Sequence, residues 1–191
     1  MDTSVRFQTA DLQEVFAKIL DNGGVMTFVP GTHSIFSATD PQMYAYLPSN
    51  TEGLMQLWIH GANSVFLYRT EEIYSNVFKW WVYCAIDDAC IAPPNSTKNC
   101  PPYRDARRDH YPTCHRQDQS ALNILLANLF DFNSRFYSMS NYTKYLRIRR
   151  GSVKEENEPI ICWSQYNANF ALWTYCTNFP CSTKDFTCLV Y

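Results

Sequence analysis

The chain is built around the stretch Cys114-His115-Arg116-Gln117-Asp118-Gln119-Ser120-Ala121-Leu122-Asn123, which ends a loop rich in proline and cysteine. From Asp118 to Leu129 the sequence is apolar on nearly every side, which predicts a helix that is buried on more than one face. The carboxylate of Asp118 is able to cap the free N–H groups of the first helical turn. It is also able to face a ligand, and the sequence leaves both roles open.

Helices and strands alternate along the chain, which indicates an α/β fold. An amphipathic helix is predicted from Asp11 to about Asn22, with Asp11 as its N-cap and Glu14 as the partner in a capping box. A second helix is predicted at 70–85, and residues 31–38 are predicted to form a loop. Residues 2–7 are interpreted as the end of a strand and its exit turn, and strands are predicted at 25–29, 54–59, 65–68, 136–139 and 145–149. We expect one domain over residues 1–150, followed by a linker and a cysteine-rich tail over residues 151–191.

Eight cysteines indicate disulfide bonds, and hence an oxidising compartment. They are Cys84, Cys90, Cys100, Cys114, Cys162, Cys176, Cys181 and Cys188. None of them has the C-x-x-C spacing typical of zinc ligands, and their pairing is left open by the sequence. Asn95 and Asn141 each begin a glycosylation sequon. Together these features predict the lumen of the secretory pathway (Golgi or endoplasmic reticulum) or the extracellular space.

Charge and hydropathy exclude two other classes of protein. The net charge is −2, and the arginines at 104–108 are interrupted by an acid, so no nucleic-acid partner is expected. The sequence has no apolar run long enough to cross a bilayer, and no membrane span is predicted in this chain. Met1 is followed at once by Asp2 without a signal-peptide pattern, so we expect the natural protein to extend further at its N-terminus.

Three motifs resemble those of GT-A glycosyltransferases, and of glycogenin-type enzymes in particular. They are Asp2-Thr3-Ser4, Gly61-Ala62-Asn63-Ser64-Val65-Phe66-Leu67 and Asp118-Gln119-Ser120-Ala121-Leu122-Asn123. A wider set resembles an uncharacterised animal family of lumenal glycosyltransferase-like proteins. It comprises residues 1–7, Trp80-Trp81-Val82-Tyr83-Cys84-Ala85, Cys90-Ile91-Ala92-Pro93 and the stretch from Cys114 to Ala121. The resemblance covers residues 1 to about 150.

The resemblance implies the C-terminal half of a GT-A fold, a mixed sheet with flanking helices that begins at the acidic motif. It also implies a nucleotide-sugar donor and a glycan or glycoprotein acceptor. A divalent cation, Mn²⁺ or Mg²⁺, would bridge the diphosphate, because both ions favour oxygen ligands. Asp2 would be a metal ligand, and Ser4 a neutral or water-mediated one.

The other motif residues would contact the sugar nucleotide. Asp118 would contact the donor sugar or take the proton of the acceptor hydroxyl. Asn63 and Gln119 would hydrogen-bond to sugar hydroxyls, and Gly61 lies in a small, polar segment where the backbone is able to approach a ligand. Arg116 would pair with phosphate, and its alternative is an ion pair with a local aspartate.

Two functions remain open after this comparison. The first is a metal-dependent glycosyltransferase that lacks the nucleotide-binding half of its fold, so that whether the chain is an enzyme is itself undecided. It predicts that Asp2, Asn63 and Asp118 converge on one cleft. The alternative is a non-catalytic, disulfide-stabilised lumenal or secreted protein that binds carbohydrate or derives from an enzyme.

Overall fold

The structure, a computed structural model, describes residues 4–100 and 114–149. Its helices are α1 (Gln13–Asp21), α2 (Thr51–Gln56), α3 (Glu71–Ile73), α4 (Lys79–Ala85), α5 (Asp88–Ile91) and α6 (Asp118–Leu129). A π-helical segment, Tyr74–Phe78, joins α3 to α4. Short 3₁₀ turns cover Phe36–Ala38, Pro41–Ala45, Ser134–Phe136 and Tyr142–Lys144. The strands are β1 (Val5–Phe7), β2 (Val25–Thr27), β3 (Pro30–Ser34), β4 (Trp58–His60), β5 (Val65–Leu67) and β6 (Leu146–Ile148).

The α/β class is confirmed, but the strands of the described residues do not form the single mixed sheet that was expected. They pair as three two-stranded antiparallel sheets, β1 with β6, β2 with β5 and β3 with β4. One parallel bridge between Thr27 and Ser138 adds a further contact to β2. Each strand has only three to five residues, so helices and turns rather than a continuous sheet carry most of the packing.

The buried side chains form two clusters, and the predicted central helix belongs to the larger one. Eight consecutive residues of α6, from Ser120 to Ala127, are buried, which confirms a helix covered on several sides. Val25 of β2 lies in this cluster, whereas Met26 and Phe66 lie in the second. The second cluster also holds Val5 and the buried face of α1. The β2–β5 sheet therefore contributes side chains to both clusters.

Three predicted elements were wrong in type. Residues 54–59 were expected to be a strand, but the side chain of Asn50 accepts hydrogen bonds from Glu52 N and Gly53 N and starts α2 instead. The strand begins only at Trp58. The expected loop at 31–38 contains most of β3, and 136–139 has a 3₁₀ turn and one bridge in place of a strand. A short apolar run is compatible with a helix or a strand, and the Asn50 cap decided in favour of a helix at the start of residues 54–59.

The start of α1 also differs from the expected capping box. The side chain of Asp11 does accept a hydrogen bond from Gln13 N, at 3.1 Å. Glu14, however, does not close the box. Its carboxylate accepts hydrogen bonds from Lys144 Nζ at 2.8 Å and from the hydroxyl of Tyr145. Glu14 therefore binds Lys144 and Tyr145, which are distant in sequence, and does not bind the main chain at the start of α1.

The described residues contain two disulfide bonds, Cys84–Cys90 and Cys100–Cys114. The first links the end of α4 to α5, and the second leads directly into the loop before α6. The prediction of disulfides is confirmed for these four cysteines. The other four, Cys162, Cys176, Cys181 and Cys188, lie outside the described residues, as does the predicted tail. Within the described ranges, every helix is too short or too polar to span a bilayer.

Candidate functional site

The loop that precedes α6 is fixed by main-chain hydrogen bonds on both of its sides. His115 N donates to Thr97 O at 2.7 Å, and Arg116 N donates to Ala38 O at 3.0 Å. Cys114 is buried and is bonded to Cys100. These contacts join three chain segments that are far apart in sequence. The loop is therefore bonded to two other segments, and these bonds fix the position of the first residues of α6.

His115 has a structural role in this support. Its Nδ1 accepts a hydrogen bond from Asp40 N at 3.1 Å, so the proton of the neutral ring must be on Nε2. Nε2 then donates to Ile91 O at 3.0 Å. Burial lowers the pKa of His115, although the Ile91 carbonyl and Asp40 act in the opposite direction. Both ring nitrogens are in use, which leaves none for proton transfer to a ligand.

Asp118 is exposed and is the first residue of α6, while Gln117 occupies the N-cap position. Of the two roles left open for Asp118, the N-cap position is thus taken by Gln117. Ser120 stabilises the turn instead, since its Oγ accepts from Arg116 N at 3.1 Å and donates to Ala38 O at 2.7 Å. The indole of Trp81 donates to Asp118 O at 3.0 Å, so α4 also holds this position.

Gln117 has a backbone conformation that favours glycine, with φ 47° and ψ −120°. This is the first central position of a type II′ turn, where a Cβ atom is strained. We expect Gln117→Gly to raise the free energy of unfolding by about 1 kcal/mol, because it removes this strain. Urea denaturation measures the change. The matched control is Gln119→Gly inside the helix, which should lower the free energy of unfolding by up to about 1 kcal/mol. A loss in both variants would contradict strain at Gln117.

Asn123 joins the start of α6 to the end of β4. This residue is 0% exposed, and its amide uses both of its ends. Oδ1 accepts from His60 N at 2.7 Å, while Nδ2 donates to His60 O at 2.7 Å and to Gln119 O at 2.8 Å. Two segments that each carry a predicted motif are therefore held together by one side chain. Asn123 was quoted in the motif, but no role was predicted for it.

Gly61 directly follows His60, and the absence of a side chain at Gly61 leaves space in the turn. Its N–H donates to Val29 O at 2.7 Å. A Cβ atom at this position would lie 2.9 Å from Asn63 Oδ1, so a larger residue would displace the Asn63 side chain. Asn63 is half-buried and its Oδ1 accepts from Ser64 Oγ at 3.3 Å. The structure therefore brings the Gly61 turn close to Gln119 through Asn123.

His60 was assigned no role by the sequence, yet its imidazole is buried beside this turn. Thr27 Oγ1 donates its only proton to Tyr137 O at 2.7 Å. The 2.9 Å contact between Thr27 Oγ1 and His60 Nδ1 must therefore use the proton on Nδ1. Burial lowers the pKa of His60 from 6.5 to about 4. The ring is neutral at pH 7, with Nε2 free of a proton.

The proposed metal ligands cannot be assembled from the described residues alone. Asp2 lies outside them. Ser4 lies just before β1, and its carbonyl accepts from Arg149 N at 2.8 Å. Over 4–100 and 114–149, no three His, Cys, Asp or Glu side chains group in a way that could hold a metal ion. Ser4 offers a neutral hydroxyl, which does not complete a ligand set for Mn²⁺ or Mg²⁺.

The remaining predicted positions are on the surface. Arg116 is exposed, and in the described part of the chain no carboxylate forms an ion pair with it, so the alternative of a local aspartate partner is not found there. Asn95 and Asn141, the first residues of the two sequons, are also exposed. Asn95 has φ 66° in the turn after Pro93-Pro94.

The fold of the described residues and the disulfides within them define a disulfide-bonded protein of the α/β class, with a polar junction between the Gly61 turn and the start of α6. Comparison with family models, with curated proteins and with solved structures finds no match to this chain. The function is therefore argued from the junction itself.

Proposed function

We propose that this chain is part of a GT-A-type, glycosyltransferase-like protein of the secretory pathway, and that the junction between the Gly61 turn and α6 contacts a sugar. The observation that carries the proposal is the three-bond clamp made by Asn123. It joins the two internal motifs on which the resemblance depends. The clamp holds these motifs next to each other although they lie 57 residues apart, at Gly61 and Asp118.

The polar groups at the junction suit a ligand rich in hydroxyl groups. Asp118 is exposed at a point that the Trp81 indole and the Ser120 hydroxyl fix from behind. Carboxylate and amide oxygens accept hydrogen bonds from sugar hydroxyls, and amide N–H groups donate to them. Asp118, Gln119 and Asn63 would supply these contacts, while Gly61 would let the main chain approach. Groups held in place before binding lose little freedom when the ligand arrives.

The proposal keeps a nucleotide-sugar donor, a glycan acceptor and a divalent cation as partners. Asp2 and Ser4 remain the proposed ligands of Mn²⁺ or Mg²⁺. A complete centre needs further ligands from the donor diphosphate, because the described residues do not supply them. When bound, such an ion would stabilise the charge of the leaving diphosphate. Because no ligand set is complete, the binding test is made with and without metal.

Binding of nucleotide sugars tests the proposal directly. We expect UDP-glucose, UDP-galactose or GDP-mannose to give a saturable calorimetric signal with the whole chain, stronger with Mn²⁺ than with EDTA. Asp118→Asn should weaken that binding by roughly tenfold, which corresponds to about 1.4 kcal/mol. The matched control is Asp88→Asn, another exposed aspartate in the first turn of a helix. No binding of any nucleotide sugar, or equal weakening by both variants, would contradict the proposal.

A second candidate is a carbohydrate-binding protein without catalysis, and one surface favours it. The surface consists of Tyr74, Phe78, Trp80 and Tyr83 along the π-helical segment and α4, all of them exposed. Trp80 is 44% and Tyr83 53% exposed, and Lys79 lies over both rings, 5.2 and 6.0 Å from their centroids. Exposed aromatic rings are amphipathic and suit ligands with both apolar and polar edges.

The two candidates differ in what they bind. A carbohydrate-binding protein should quench tryptophan fluorescence with free oligosaccharides and no nucleotide, and Trp80→Ala should remove the effect. A transferase should instead bind the nucleotide sugar and depend on Asp118.

Expression through a secretory pathway tests the compartment. The two disulfides are compatible with a secreted or lumenal protein, and the acceptor side chains Asn95 and Asn141 are both exposed. We expect two N-linked glycans, so that enzymatic deglycosylation lowers the apparent mass in two steps. Asn95→Gln and Asn141→Gln should each remove one step. A chain that reaches the lumen with oxidised cysteines but carries no glycan would refute this prediction.

A further inference from the structure

The β1–β6 sheet has one apolar face and one basic face. Each residue of β1 lies opposite one of β6: Val5 opposite Ile148, Arg6 opposite Arg147, and Phe7 opposite Leu146. Because successive side chains of a strand point to opposite faces, the four apolar residues share one face and the two arginines share the other. All four apolar residues belong to the second buried cluster or pack against it. The arginines are therefore on the face that is turned away from this cluster.

A third arginine extends the basic face. Arg149 N donates to Ser4 O at 2.8 Å, so the pairing of the strands continues one step beyond Ile148. Arg149 lies two residues after Arg147 and therefore on the same face. Arg147 is exposed, while Arg6 and Arg149 are half-buried. Residues 4–8 and 145–149 contain no acidic residue, so this arginine face (Arg6, Arg147 and Arg149) carries three positive charges in a chain whose net charge is −2.

The fold itself creates this concentration of charge. Arg6 and Arg147 are 141 residues apart in the sequence, and only the pairing of the two strands places them opposite each other. In such a pair the Cβ atoms are about 4.5 to 5.5 Å apart, and two like charges at these positions destabilise the sheet. An anion bound by both side chains would replace this repulsion with attraction. The arginine face therefore complements a negatively charged partner.

The chemistry of arginine narrows the kind of anion. A guanidinium group is a planar fork with five N–H donors, of which Nη1 of Arg6 donates to Val5 O at 3.0 Å. Such forks match the oxygens of sulfate and phosphate groups in pairs of parallel hydrogen bonds. Several arginines on one sheet face suit a partner that carries more than one such group.

The compartment narrows the partner further. The disulfide bonds are compatible with a secreted or lumenal protein. Anionic lipids are concentrated on the cytoplasmic side of membranes, whereas sulfated polysaccharides occur in the Golgi lumen and outside the cell. We propose that the arginine face binds the sulfate groups of a sulfated glycan. This proposal does not rest on the proposed transferase function.

Calorimetry of the whole chain with a heparin oligosaccharide of defined size tests the proposal. The buffer contains EDTA and no nucleotide sugar, so neither the proposed donor nor the proposed cation takes part. We expect saturable binding that weakens as salt is added. Arg147→Gln should weaken it about tenfold, because hydrogen bonds to charged groups are lost. The matched control is Arg135→Gln, which removes the same charge from an exposed arginine of the 3₁₀ turn Ser134–Phe136 and should leave the affinity nearly unchanged.

Chemically desulfated heparin separates sulfate recognition from recognition of the sugar rings, and it should bind far more weakly than heparin. Equal binding of the two oligosaccharides would overturn the proposal, as would no binding of heparin at all. Equal weakening by Arg147→Gln and Arg135→Gln would show that only net charge matters, which also overturns it. Binding to phosphatidylserine vesicles without binding to heparin would replace the glycan with a membrane. None of these failures affects the nucleotide-sugar test, which depends on Asp118.

Discussion

Asn123→Ala should lower the free energy of unfolding by roughly 3 to 4 kcal/mol, the largest effect we expect from a single substitution. The amide makes three hydrogen bonds at 2.7 to 2.8 Å from a fully buried position. Its removal leaves the N–H and carbonyl of His60 without partners, and each buried unsatisfied group costs about 1 to 3 kcal/mol. The missing side chain atoms add a small cavity.

Asn128→Ala is the matched control, because it removes the same side chain from the same helix at an exposed position. Asn128 makes two comparable bonds, Nδ2 to Pro48 O at 2.9 Å and Ser49 Oγ to Oδ1 at 2.6 Å. Water is able to replace both, so the expected loss is about 1 kcal/mol or less. Urea denaturation at pH 7 compares the two variants. Equal losses would mean that the β4 clamp is not a special feature of Asn123.

The second expected result is a loss of stability between pH 6.5 and pH 4 that depends on His60. Burial lowers the pKa of this imidazole from 6.5 to about 4 in the folded chain. Between these values the unfolded chain binds a proton that the folded chain does not bind, so stability falls as the pH falls. The difference of about 2.5 pKa units corresponds to about 3 kcal/mol, complete below pH 4. Above pH 7 this histidine contributes no pH dependence.

Other groups titrate in the same direction and must be separated. The pKa of His115 is also lowered by burial, so this residue adds to the loss in the same range. The Lys144 and Tyr145 hydrogen bonds to Glu14 lower the pKa of that carboxyl from 4.5 to about 2, and this exposed group therefore acts only below pH 4.5. Among the described residues with a lowered pKa, only the two histidines thus act between pH 6.5 and pH 4.5.

Unfolding free energies of the wild type, His60→Gln and His115→Gln at several pH values measure these contributions. Glutamine does not titrate, so His60→Gln should be less stable at pH 7 but should show a flatter curve down to pH 4.5. His115→Gln should also flatten the curve. An identical slope in the wild type and His60→Gln would show that the folded chain accepts a proton at His60 without penalty.

Several features of the fold were determined by short-range patterns in the sequence. The helix at 118–129 was predicted with its bounds, because a long apolar run that follows a residue able to start a helix favours a buried helix over other structures. The disulfide chemistry followed from the cysteine count. A helix was predicted to begin at residue 70, and in the structure Thr70 is the N-cap of α3, with its Oγ1 accepting from Ile73 N at 3.0 Å. For the two helices, the deciding residues lie within a few positions of one another.

The junction could be predicted only in part. An asparagine within an apolar helix is a signal, because a buried amide needs partners. The identity of those partners was not readable, since His60 lies 63 residues away along the chain. His60 itself gave no local signal, and its tautomer depends on Thr27 and Tyr137, which come from two other segments.

The sequence by itself determined the α/β class and the position of the buried helix, because local hydrogen bonds and hydrophobic periodicity act over a few residues. The number of cysteines indicated disulfide bonds. Only the tertiary structure decided that the strands pair as separate two-stranded sheets, that Glu14 binds Lys144, and that Asn123 holds His60. These contacts form between distant segments. Their partners are chosen by which groups are buried together and must satisfy one another's hydrogen bonds.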